Sequence, residues 1–302
     1  DVDTYTDNTG TNITTAFATS DGIDNYNVSY DFTQKITEQN LVIAINDTKV
    51  YDGTPLVTDY NSSAVTVTGL RLGATLTAGV VTTPSEDVDT YTDNTGTNIT
   101  TAFATSDGID NYNVSYDFTQ EITKRDLVIV INDTKVYDGT PLVTDYTEAT
   151  AAALQNGATL TAGVVTTPSK DVDTYTDNTG TNITTAFATS DGIDNYNVSY
   201  DFTQKITSKP ISIIANSASK IYDGTPLTDN GYSSDPLADG DNLISVTVIG
   251  TQTEVGECPN VPSAAIIVRG SENVTSNYVI TYQNGTLTIL IDSVPPCIGC
   301  DP

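Results

Sequence analysis

Short stretches of alternating apolar and polar residues follow one another along nearly the whole chain, each closed by Gly, Asp, Asn or Pro. VTVTGL (residues 65–70) and ATLTAGVV (74–81) alternate with period two, which predicts strands with one wet and one dry face. LVIAIN (41–46) is a continuous apolar run ended by NDT, the mark of a strand buried on both faces. KVYDGTPLVTDY (49–60) carries a Asp52-Gly53 turn signal with Pro55 just beyond it. DVDTYT (87–92), NITTAFAT (98–105) and NYNVSYDFTQEI (111–122) read as further strands. About seven short strands with turn signals every 8–12 residues predict a β-sandwich. The expected class is all-β: tandem Ig-like sandwich repeats forming an elongated rod.

The pattern repeats. Residues 87–123 recur at 1–37 and 171–207 with a single difference, Glu121 where the other copies have Lys35 and Lys205. Self-similarity at a fixed period decides architecture before individual residues do. The expected organisation is the second half of a repeat at 1–37, full repeats at 38–123 and 124–207, a diverged repeat at 208–291, and a Pro/Cys tail at 292–302. In the second repeat TEATAAALQNG (147–157) replaces NSSAVTVTGLRLG (61–73). Its Ala, Leu, Gln and Glu content has helical propensity, which leaves a β-grasp-like unit as the alternative fold. The third repeat aligns through ISIIAN, KIYDGTP and SNYVITYQNGTLTIL, and places Cys258 where the other copies carry Tyr5, Tyr91 and Tyr175. Joints of four residues (TEQN, TKRD, TSKP) leave little freedom, so the repeats are expected to stack head to tail. The leading half repeat would be cut from a longer array or completed by strands of a neighbouring molecule.

Charge and composition then narrow the function. The 302 residues include 39 acidic and 11 basic ones, a formal charge of −28. Nucleic acid is excluded as a natural partner, because phosphate recognition needs clustered Lys and Arg. There is no His, which removes the usual general base and the commonest transition-metal ligand. No apolar run approaches the roughly 20 residues of a membrane helix, so membrane insertion is not expected.

Four groups of residues carry candidate chemistry. Asp87, Asp89, Asp93 and Asn94, with Asp107, Asp110 and Asn111, place several oxygen ligands within a few residues, as calcium sites do. The competing reading is turn chemistry and solubility, with no cofactor at all. Tyr51, Tyr137 and Tyr222 precede the Asp-Gly turn, and Tyr26 and Tyr30 lie four apart on one strand face. Such residues stack on sugars when exposed, or fill a sandwich core with the hydroxyl at its rim, the reading favoured here. Cys297 and Cys300 form a CxxC, which elsewhere signals redox or zinc chemistry. With no second CxxC and no His, a disulfide in an exported chain is the favoured reading, and the odd Cys258 either pairs with one of these two or leaves one cysteine's partner outside this sequence. The sequons at Asn12, Asn27 and Asn46 are of the kind that arise by chance in a chain rich in Asn and Thr.

K-[VI]-Y-D-G-T-P at 49–55, 135–141 and 220–226, closed by Asn-Tyr at 25–26, 111–112, 195–196 and 277–278, resembles the YDG and MBG repeats of bacterial, Bacteroidota-like surface adhesins. The resemblance implies a non-catalytic extracellular or cell-surface array acting as stalk or filament, with no catalytic residues to carry over. Its partners would be neighbouring repeats or subunits of a fibre. The alternative is a multivalent module that binds surface glycan or protein through avidity.

Overall fold

The structure is a computed structural model and describes residues 2–292. It is all-β and built of repeated small sheets. Cys297 and Cys300 lie outside the described residues.

The first full repeat contains seven strands. They follow β1 (Asp3–Asp7) and β2 (Phe32–Ile36) of the leading half repeat, and are β3 (Gln39–Val50), β4 (Val57–Asp59), β5 (Val65–Thr68), β6 (Leu76–Thr82), β7 (Asp89–Asp93), β8 (Ile99–Thr105) and β9 (Tyr112–Thr123). They form two sheets, ordered β5-β3-β9-β7 and β4-β6-β8. Leu41, Ile43 and Ile45 alternate inward along β3 and meet Tyr112 and Phe118 of β9, Val81 of β6 and Phe103 of β8 in one core. Each such side chain contributes about 1.5–3 kcal/mol on full burial. The feature that periodicity does not reveal is the pairing of β3 with β9. These are the first and last strands of the repeat, and they run parallel over twelve residue pairs, from Gln39–Tyr112 to Val50–Thr123. The whole remainder of the repeat serves as their crossover.

The second repeat has the same plan in β10 (Arg125–Val136), β11 (Val143–Asp145), β12 (Thr150–Ala152), β13 (Leu160–Thr166), β14 (Asp173–Asp177), β15 (Ile183–Thr189) and β16 (Tyr196–Thr207), ordered β12-β10-β16-β14 and β11-β13-β15. The segment with helical propensity is not a helix. It forms a single 3₁₀ turn, Tyr146–Glu148, and then β12, which pairs with β10 as β5 pairs with β3. Pairing at a sheet edge overrides a weak local preference, and no α-helix lies among the described residues to support the β-grasp alternative. The replacement leaves one strained position. Ala153 has φ 81°, at the place where the first repeat has Gly69 with φ 99°. A left-handed conformation costs a non-glycine residue roughly 1–2 kcal/mol. Ala153→Gly is therefore expected to stabilise the second repeat by about 1 kcal/mol, less glycine's greater unfolded-state entropy, read as a raised denaturation midpoint.

The third repeat breaks the long strands. β17 (Lys209–Ala215) and β18 (Ala218–Ile221) stand for β3, with β19 (Tyr232–Ser234), β20 (Asp241–Ile249), β21 (Gly256–Arg269) and β22 (Glu272–Asn273) between. β23 (Tyr278–Gln283) and β24 (Gly285–Leu290) stand for β9. The parallel pairing persists, β17 with β23 and β18 with β24, in two different sheets. The fully buried Asn260 spans the break, donating to the carbonyls of Asn216 and Asp229 at 3.0 and 2.8 Å.

By contacts the chain forms two compact units that cut across the sequence repeat. Of the described residues, one holds 2–126, 155–157 and 191–197; the other holds 127–154, 158–190 and 198–292. The half repeat belongs to the first. Its β1 and β2 pair only with each other, and among residues 2–37 only Asp7 is buried. Tyr26 is 54% exposed where Tyr112, its counterpart with a full sandwich, is 5% exposed.

Candidate functional site: the joints between repeats

The Lys-x-Tyr-Asp-Gly-Thr-Pro stretch is a turn that presents a tyrosine. Lys49 Nζ reaches Asp52 Oδ1 at 2.7 Å, Thr54 Oγ1 at 2.9 Å and the Pro55 carbonyl at 3.0 Å, closing the turn. Lys135–Asp138 and Lys220–Asp223 do the same at 2.8 and 2.7 Å. These pairs are half-exposed and worth little as ion pairs; their work is geometric. Just before the turn, the Tyr51 N–H donates to the Thr123 carbonyl, extending the β3–β9 ladder by one residue.

The joint that follows is packed. Only Lys124 separates β9 from β10, and only Ser208 separates β16 from β17, so the expected four-residue linkers are largely strand. In the first unit Tyr51, 1% exposed, lies edge-on to Tyr196 with ring centroids 5.5 Å apart. Both hydroxyls donate to Asp191 Oδ2, at 3.1 and 2.5 Å. Burial first, and then Asp191, push the Tyr196 phenol up to about 12 and raise Tyr51 as well. Asn156 donates to the Gly53 carbonyl at 2.7 Å, and a Cβ on Gly53 would stand 2.9 Å from that amide. The Val88 N–H donates to Asn195 Oδ1 at 2.8 Å, while Asn195 Nδ2 donates to Asp87 Oδ1 at 3.1 Å. Val2 and Asn111 make the same backbone-to-amide bond at 3.0 Å.

In the second unit the corresponding joint has a continuous core of Tyr137, Leu142, Ile206, Ile211, Ile267 and Tyr278, among others. Tyr137 and Tyr278 meet edge-on at 5.5 Å, and their hydroxyls donate to Asp241 Oδ2 at 2.9 and 2.6 Å. Val172 and Asn277 repeat the backbone-to-amide bond at 2.9 Å. The aspartate, however, comes from the start of β20, whereas Asp191 precedes β16 by a few residues. Arg269 of β21 supplies the missing balance: its Nε lies 2.8 Å from Asp241 Oδ1 and its guanidinium sits 5.5 Å from the centre of the Tyr137 ring. The diverged repeat thus rebuilds the same socket from different strands. Sequence alignment offered no signal for Asp241 or Arg269, because neither falls on a position that the other repeats use.

The structure also places the sequence-derived candidates. Tyr51 and Tyr137 are buried with their hydroxyls at the edge of a core, as expected, but against the following repeat rather than inside their own. Tyr222 departs from the core expectation: it is 44% exposed, where Tyr51 and Tyr137, each set against an aspartate–tyrosine pair, are 1% exposed. Among the described residues Cys258 has no disulfide partner; its half-buried thiol donates to the Thr251 carbonyl at 3.3 Å.

The Asp-rich blocks are occupied with backbone. Asp93 Oδ1 accepts from the N–H groups of Thr95 and Gly96 and from the Thr95 hydroxyl, and Oδ2 accepts from the Asn98 N–H at 2.7 Å. Asp7 and Asp177 hold their loops identically. Asp107 receives the Tyr112 hydroxyl at 2.7 Å, and Asn111 Nδ2 donates to the Asp107 carbonyl. Among the described residues no group of three or more His, Cys, Asp or Glu converges as a metal site. Burial opposes ionisation of Asp93, yet the bonds from Asn98 and Thr95 win and hold it at about 2, against an ordinary 3.8. A lowered carboxyl gives stability that is present above the unfolded value and lost as pH falls through the folded one. Stability is therefore expected to hold from neutrality to about pH 4 and to fall between about 4 and 2. Asp93→Asn should cost about 1–3 kcal/mol at neutral pH and flatten that acid limb, measured by thermal melts across pH.

Joint and fold together define a tandem-repeat β protein. The LRR adjacent family model matches it three times, at residues 22–54, 108–141 and 192–225. Each match runs from the segment before one repeat's last strand to the Asp-Gly turn of the next, so the matched module is centred on a joint. No curated protein matches the chain. Among solved structures it is similar to the Bacillus anthracis TIE protein, at 9% identity and a TM-score of 0.24, over 88% of this chain and 54% of that one. The chain thus spans about half the length of that protein.

Proposed function

We propose that this chain is a structural repeat array, the stalk or filament portion of a bacterial surface adhesin, non-catalytic and extracellular. The observation that carries the reading is the joint. Every Tyr-Asp-Gly turn followed by another repeat inserts its tyrosine against an aspartate–tyrosine pair of that repeat, and the diverged third repeat keeps this arrangement by other means. Residues at the candidate positions are spent on attaching one repeat to the next. The resemblance to YDG and MBG repeats supports the surface setting, as does an acidic charge that keeps a long array soluble. Neighbouring repeats or fibre subunits are the partners this reading gives.

The test places the array between a cell-surface anchor and a reporter, then deletes residues 124–207. A spacer loses reach by one repeat and leaves glycan and protein binding unchanged. A steep loss of binding with repeat number overturns the spacer reading in favour of a multivalent binder.

A further inference from the structure

Both joints seat a turn tyrosine in a socket of fixed parts, and the first full repeat carries the same socket. Its Tyr112 hydroxyl donates to Asp107 Oδ2 at 2.7 Å and accepts from the Arg71 N–H at 3.1 Å. Tyr196 does the same with Asp191 and the Gln155 N–H, and Tyr278 with Asp241 and the Ala238 N–H. The half repeat takes up only part of this socket. Val2 makes the backbone-to-amide bond to Asn111, as Val88 and Val172 do with theirs in the two joints. The tyrosine part differs. Among the described residues Asp107 Oδ2 receives one phenol, whereas Asp191 Oδ2 and Asp241 Oδ2 each receive two. Beside it Leu72 is fully exposed, at the position where the second repeat has Asn156, whose amide holds the Gly53 carbonyl of the inserted turn.

The third repeat presents the complementary half. The Tyr222 N–H donates to the Leu290 carbonyl at 2.9 Å, as that of Tyr51 does to Thr123 and that of Tyr137 to Thr207. Lys220 Nζ clasps Asp223 Oδ1 and Thr225 Oγ1 at 2.7 and 2.6 Å, the closure seen in the two inserted turns. The turn already has its docked shape, so docking it orders little that is not ordered beforehand. Its tyrosine is nevertheless exposed, and so are Leu290 and Ile291 beside it. A Cβ on Gly224 would meet nothing within 4 Å, whereas one on Gly53 or Gly139 would strike a socket group at 2.9 or 2.5 Å.

We propose that the Tyr222 turn of one copy of this chain docks in the Arg71–Leu72–Asp107–Tyr112 socket of a second copy. In the docked pair Tyr222 lies edge-on to Tyr112, its hydroxyl gives Asp107 a second phenol, and the turn covers Leu72. The Arg71 guanidinium, 5.6 Å from the centre of the Tyr112 ring, is placed to cover the incoming ring as Arg269 covers Tyr137. The two surfaces are different, so the contact is heterologous and leaves one of each on the pair for further copies. This inference rests on the structural-array reading and deepens it, naming the fibre subunit as another copy of the chain. Two chains of charge −28 repel, and one turn buries little area, so the contact is weak and reversible.

Sedimentation velocity on the full chain tests this, with thiols reduced and salt at about 0.15 M to screen the repulsion. Mass should rise above that of one chain between about 10 μM and 1 mM, the range of a small transient interface. Tyr222→Ala and Leu72→Asp, both at exposed positions, should each weaken association by about tenfold or more. An equimolar mixture of the two variants should restore pairs and nothing larger, because one variant keeps the socket and the other keeps the turn. Wild-type chain that stays single at about 1 mM overturns the proposal. So does a mixture that fails to pair, and so does association that both variants retain, which would run through another surface such as the exposed half repeat. Each of these results leaves the spacer reading standing, since deletion of residues 124–207 tests that reading by reach alone.

Discussion

Asp241→Ala is expected to lower the unfolding free energy of the second unit by about 3–5 kcal/mol. The carboxylate is completely buried, with Arg269 on one oxygen and the hydroxyls of Tyr137 and Tyr278 on the other. Its removal leaves the Arg269 guanidinium, on a side chain only 14% exposed, without its counter-charge, and two buried phenols without an acceptor. Breaking a buried pair costs far more than the pair is worth against an apolar replacement, because the surviving charge has no water to return to. Denaturant unfolding that isolates this unit would read the loss. A double variant, Asp241→Leu with Arg269→Met, should recover much of it, since both desolvation terms vanish together. Recovery would show that the cost lies in the orphaned charge. A persistent loss would place it in the packing of the two tyrosine rings.

Gly285→Ala should be comparably severe for the third repeat, about 3 kcal/mol or more. A Cβ there would stand 2.1 Å from the Asn216 carbonyl oxygen and 2.6 Å from that of Ala215. Both obstacles are backbone and cannot swing aside. This is the place where the long parallel pair of the earlier repeats divides between two sheets, and the close approach of β24 to the chain between β17 and β18 makes the division. Relief would require β24 to move off β21, breaking the Asn260–Gly285 register. Thermal melting should show the third repeat unfolding first, ahead of the first unit.

Much of this architecture was legible in the sequence, and the parts that were not share a cause. Alternation located strands such as β3, β6 and β9, because period-two burial is a local property. The Asp-Gly turns were legible because their glycines carry a chemical requirement. Which strands pair, and in which direction, is a long-range property, so the parallel β3–β9 ladder left no mark in periodicity. Thr147–Gly157 carried helix-forming residues whose preference is weaker than one row of sheet hydrogen bonds. At the joints, Tyr51 and Tyr137 stood out as tyrosines, but their acceptors did not. Asp191 sits in a block that reads as calcium-like or turn-like, and Asp241 opens a strand, β20, at a position the other repeats do not share. The buried hydrogen bond from Gln120 Nε2 to Thr58 Oγ1 joins two strands whose residues look, in sequence, like ordinary polar positions between apolar ones.

The parallel ladder has a mechanical consequence. The chain enters the first full repeat at Gln39 and leaves it at Thr123, and these termini belong to opposite ends of one parallel strand pair. Tension along the polypeptide therefore slides β3 past β9, loading the twelve-residue ladder as a whole instead of peeling its bonds off one at a time. Such a shear geometry yields at higher force than an unzipping one, because many hydrogen bonds must fail together. In the third repeat the two shorter ladders, split between sheets, share that load less evenly. Under tension it is the repeat expected to give way first.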